Sequence, residues 1–189
     1  MKAVLLLFLF SLISCQLGGW AKRSLAENSL YIDRSFKEAF KAHSNNEDVD
    51  QDDCIRLSVY SQIVSGTNYK VCFLDAKADY LAIQEYVVYV PLPKGKRNGP
   101  EFNIIRHKEL ETGNLIDFND ATFSLVEKHL TQSLETTNEK VKYVSYVLTA
   151  ENEETKFYIV TAETKTGEHK YVFSQDKNSK ELEFVNKIK

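Results

Sequence analysis

One supersecondary pattern is written twice along this chain, and that repetition constrains the fold more than any single residue does. In the first copy Ile32, Phe36, Ala39, Phe40 and His43 recur at helical spacing over about Ala26 to His43. An acidic stretch, Ser44 to Asp53, separates this helix from three runs rich in β-branched and aromatic residues: Ile55 to Val64, Tyr69 to Leu74 and Ala82 to Val90. In the second copy Phe123, Val126, Leu130 and Leu134 mark a helix face beside a capping residue, Asn119 or Asp120. Val141 to Thr149, Lys156 to Ala162 and His169 to Ser174 then read as strands, with Leu182 to Val185 as a short last one. Gly66 and Ala150 are 84 residues apart and Phe40 and Val126 are 86 apart, so the period is consistent. The spacing predicts two tandem α+β units, each a helix on an antiparallel sheet. The junction falls in a looser segment, Pro93 to Gly113, which holds two of the three prolines and three of the seven glycines.

The first residues read as a targeting segment. Lys2 supplies the positive charge, Ala3 to Ile13 form an apolar run too short to span a bilayer, and Ser14 and Cys15 follow. A cleaved signal peptide over residues 1–15 is the simpler reading. Leu12-Ile13-Ser14-Cys15 also resembles a bacterial lipobox, which would leave Cys15 as a lipid-anchored first residue. Either reading puts the mature chain in an oxidising compartment. There Cys54 and Cys72 form a candidate disulfide if the register of the first hairpin places them on one face; a slip of one residue would separate them.

The formal net charge of −3 gives no basic stripe for a nucleic-acid backbone. His43, His107, His129 and His169 are scattered singly and there is no C-x-x-C, so no metal site is expected. Asp48 to Asp52 has the alternating carboxylates that open a calcium loop. It lacks the glycine and the glutamate such a loop needs, because Asp53 and Val59 stand there. No P-loop, G-x-S-x-G or H-E-x-x-H occurs, and the cysteines have no helix N-terminus to activate a thiol. Neither catalysis nor a cofactor is expected.

The hairpin tip Gln62-Ile63-Val64-Ser65-Gly66 is the most specific feature of the chain. It resembles the Gln-x-Val-x-Gly signature of the cystatins, inhibitors of papain-like (cathepsin-type) cysteine proteases, and Thr67-Asn68-Tyr69 looks like its usual continuation. The order of elements is similar too: Gly18-Gly19 precedes the helix, and Pro91-Leu92 ends a strand where the family carries a Pro-Trp pair. The resemblance implies two cystatin-like domains, residues 16–105 (inhibitory) and 106–189 (degenerate), each a helix packed across a 4–5-stranded antiparallel sheet.

It also implies a reversible, tight-binding inhibitor that presents three edges to a protease cleft. Leu17, Gly18 and Gly19 would form the first; Gln62, Ile63, Val64, Ser65 and Gly66 the second; Pro91 and Leu92 the third. On this reading a large side chain at Gly66 would abolish inhibition and leave the fold intact. Leu92 in place of Trp weakens the third edge, since a pocketed Trp is a strong anchor. Some family members also inhibit legumain through a loop after the helix, where Ser44-Asn45-Asn46 stands here. In the second copy Tyr146 to Ala150 replaces the signature and Glu151-Asn152-Glu153-Glu154 lengthens the tip, so no protease-directed edge is expected there. The alternative is a non-inhibitory binding module of the same fold, lipid-anchored at Cys15.

Overall fold

In the computed structural model the described residues are 18–44, 54–75, 81–93, 99–135 and 139–188. The signal segment with Cys15 and Leu17, together with Asn45 and Asn46, lies outside them. Among the described residues there are ten strands and only two helices, and more than half of these residues are in strand. The first sheet has the order β1 (Ala21–Arg23), β2 (Cys54–Val64), β3 (Gly66–Asp75), β4 (Ile83–Pro91) and β5 (Asn103–Leu110). The second comprises β6 (Asn114–Leu115), β7 (Val141–Glu151), β8 (Thr155–Thr164), β9 (Gly167–Asp176) and β10 (Leu182–Ile188), again in sequential order. All pairings are antiparallel.

This corrects the expected fold class. The described residues are mostly β, two five-stranded sheets with two helices, and not a pair of helix-across-sheet cystatin-like α+β domains. The sheets share a core. Ile55, Leu57, Cys72, Leu74, Ile83 and Leu110 of the first pack with Ala150, Phe157, Ile159, Val172 and Ile188 of the second. The physical reason lies in the strands. Val71 to Leu74 and Phe157 to Val160 are buried without interruption, the pattern of a sheet covered on both faces rather than one. Along β3, Val71 and Phe73 turn to the helix side while Cys72 and Leu74 turn to the other sheet.

Helix α1 (Leu30–His43) lays Ile32, Phe36, Ala39 and Phe40 on the outer face of the first sheet, where the Phe40 ring meets Phe73 edge-on at 4.6 Å. It starts four residues later than the periodicity predicts. Helix α2 (Ala121–Glu135) covers the second sheet with Phe123, Val126, Leu130 and Leu134. Of its two candidate caps the structure uses Asp120, whose carboxylate accepts the Thr122 backbone N–H at 2.7 Å. That hydrogen bond to the helix start lowers its pKa. Strand β5 lies inside the segment expected to be loose and runs through the expected junction at Ile105.

The candidate disulfide between Cys54 and Cys72 is not formed, because the register does not meet its condition. Cys54 pairs in register with Asp75 and Cys72 with Ser58, which leaves the thiols three residues apart along β3, about 10 Å at a strand's rise. A disulfide tolerates a Cα separation of about 7 Å at most. They also sit on opposite faces, Cys54 under α1 and Cys72 between the sheets, because a bulge between Arg56 and Ser58 reverses the parity. Burial pushes the Cys72 thiol up to about 12, and the nearby Glu85 carboxylate adds to this.

Candidate functional site

Three separate segments meet at one end of the first sheet. The turn at Ser65 joins β2 to β3, Pro91 stands opposite Gly66 at the end of β4, and Gly18 leads into β1, whose Ala21 pairs with Ser61. Ile63, Val64 and Leu92 are 57%, 44% and 66% exposed, so this end presents large apolar side chains to solvent. No charged residue lies in any of the three segments. A proline is tolerated at the end of β4 because the partner strand β5 begins only opposite Tyr89.

The segments are fastened by side chains. Gln62 is the junction: its Nε2 donates to the Gly18 carbonyl at 2.6 Å, and its Oε1 accepts from Asn68 Nδ2 at 3.0 Å. The Tyr89 hydroxyl donates to the Ser65 carbonyl at 2.9 Å and ties the turn to β4. Beside the turn a cleft of about 610 Å³ opens, lined in part by Ser65, Tyr89, Leu92, Pro93 and Pro100. In the sequence Asn68 stands out only as part of the signature's continuation, with no role attached, and Tyr89 not at all. A hairpin centred on Ser65 puts Asn68 directly opposite Gln62, so register alone would have found Asn68.

Gly66 has an internal reason to be glycine. Its φ is +152°, and a Cβ there would stand 2.5 Å from the Val90 carbonyl oxygen, 2.8 Å from a Tyr89 ring carbon and 3.0 Å from Pro91 Cα. A bulky substitution at Gly66 therefore forces β3 from β4, which corrects the expectation that it would spare the fold. Gly18, with φ +101°, has open space around it, and there only the backbone conformation demands glycine. Gly19 is half-buried beside it.

Ser44 sits elsewhere. It ends α1, with its N–H on the Phe40 carbonyl and its hydroxyl on the Lys41 carbonyl. The adjacent His43 contacts Asp75, at the end of β3 away from Gly66. Nine residues of strand, about 30 Å, separate that end from the apolar one. Among the described residues no helix is long and apolar enough to cross a membrane, and no three His, Cys, Asp or Glu side chains gather as a metal site would require.

The second sheet's tip is split: Glu151 and Glu153 are exposed, and the two residues alternating with them turn inward. Asn152 and Glu154 are buried against the first sheet. Asn152 Nδ2 donates to Glu85 at 2.7 Å, Glu154 accepts from Lys70 at 2.6 Å, and the Tyr60 hydroxyl donates to Asp176 at 2.9 Å while accepting from Thr155. No protein-family model and no curated protein matches this sequence, so the likeness to cystatins rests on the quoted residues alone.

Proposed function

We propose that this protein is a secreted, reversible inhibitor of papain-like cysteine proteases and not an enzyme, with Gly18–Gly19, Ile63–Gly66 and Pro91–Leu92 as its contact edges. The observation that carries the reading is the convergence of these three segments at one end of a sheet, with Ile63, Val64 and Leu92 exposed and no charged residue in any of the three. A protease cleft binds extended chain and apolar side chains. An inhibitor gains by offering both from a surface already held in shape, since little conformational freedom is then lost on binding. The hydrogen bonds of Gln62, Asn68 and Tyr89 supply that rigidity. Inhibition on this reading is occupancy of the cleft, with no covalent step.

The test is a titration of the purified secreted chain against papain and a cathepsin-type protease, read with a small fluorogenic substrate. Loss of activity at nanomolar inhibitor, about −12 kcal/mol of binding, is the expected result. Full protease activity at micromolar inhibitor, from a sample folded by circular dichroism, would overturn the proposal.

A further inference from the structure

Gln62 holds the N-terminal segment at Gly18, and two residues further on the same segment meets Lys70, a cation whose own partners come from the second sheet. The Trp20 ring lies under Lys70, whose Nζ is 4.4 Å from the ring centroid. Lys70 projects from β3 with its side chain 1% exposed, and a buried ammonium is stable only when fully partnered. Its partners come from the second sheet's tip: Glu154 Oε1 at 2.6 Å and Glu153 Oε2 at 3.8 Å. The tip is itself pinned. Asn152 Oδ1 accepts the backbone N–H groups of Glu154 and Thr155, its Nδ2 donates to Glu85, and Glu85 accepts from Arg106 of β5 at 2.6 Å.

We propose that Lys70 and Glu154 are positioning residues for the N-terminal contact edge: the second sheet's tip holds the Lys70 cation against Trp20 and so fixes how Gly18 and Gly19 leave the sheet. This rests on the inhibitor reading. A chain terminus is normally mobile, and any freedom it keeps in the unbound protein is lost when a protease captures it. Fixing Trp20 from one side and Gly18 from the other removes that freedom beforehand. The acidic tip, at which no protease-directed edge is expected, then serves the first sheet's edge as a clamp. Pre-organisation of this kind appears mainly in the dissociation rate.

The experiment uses the full secreted chain carrying Lys70→Met together with Glu154→Gln, which removes both buried charges at once while keeping side-chain volume. Glu154→Gln alone, which keeps the cation, is the second variant. Trp20 is the sole tryptophan, so its emission and acrylamide quenching report its environment directly. In the double variant the quenching constant is expected to rise at least about twofold and dissociation from papain to quicken about tenfold. The quickening of dissociation should add nothing further when Trp20→Ala is already present, as residues acting through one contact are non-additive. Inhibition by the unaltered protein with quenching and dissociation unchanged in both variants overturns the clamp alone. No inhibition by the unaltered protein overturns the inhibitor reading and the clamp's role with it.

Discussion

Gly66→Ala isolates the tightest geometric demand at the candidate site. Alanine at φ +152° adopts a backbone conformation that L-residues rarely occupy, a strain of about 1–3 kcal/mol. Its Cβ would also lie 2.5 Å from the Val90 carbonyl oxygen and 3.0 Å from Pro91 Cα, both backbone atoms, which give way less cheaply than the end of a flexible side chain. Overpacking of this kind adds about 1–3 kcal/mol. The sum is about 2–6 kcal/mol, against a typical total stability of about 5–15 kcal/mol. Gly167 supplies the control. Its φ is +119° with nothing within 4 Å of a Cβ, so Gly167→Ala incurs only the strain term. Urea unfolding of the two variants should place Gly66→Ala below Gly167→Ala by about 1–3 kcal/mol. Equal losses would mean that the close approach of β3 to β4 contributes nothing, and the argument would fail.

Other outcomes follow from the same geometry. Leu92→Trp should tighten papain inhibition about tenfold with thermal stability unchanged, read by substrate competition and calorimetry; weaker inhibition would remove Leu92 from the contact. Tyr60→Phe, which takes one hydrogen bond from Asp176 and one from Thr155 between the sheets, should cost about 1–3 kcal/mol in urea unfolding. Burial raises the Tyr60 and Tyr171 pKa values above the ordinary 10.0, so the unfolded chain loses those protons first. Stability should therefore hold below pH 10 and fall as pH rises beyond it, which alkaline unfolding followed by circular dichroism would show. Iodoacetamide at pH 8 should leave Cys72 unmodified in native protein and alkylate it after denaturation, by mass spectrometry of its peptide; a Cys54–Cys72 cross-link found instead would refute the β2–β3 register.

Much of the local structure was legible from residue order. The helical stripes Ile32–Phe36–Phe40 and Phe123–Val126–Leu130 identify the two helices, because a 3.6-residue period depends only on spacing. The turn at Ser65 and its glycine follow from two β-rich runs flanking a single permissive residue. Strand β5 was missed because Pro93, Gly99 and Pro100 before it read as loop, while Asn103 to Glu109 is exposed along an edge and has only Ile104 and Ile105 as apolar residues. The bulge beside Leu57 was missed because it leaves no compositional mark, yet it decides which face Cys54 occupies.

The sequence by itself determined the two helices, the strand runs other than β1, β5 and β6, their repetition and the glycine turn, all of which depend on neighbours within a few residues. Only tertiary structure decided that the sheets meet face to face, that the cysteines are parted, and that Asn152 and Glu154 turn inward onto Glu85 and Lys70. The physical reason is one of range. A strand apolar on both faces records that something covers it, but what covers it is settled by packing between residues about 80 positions apart.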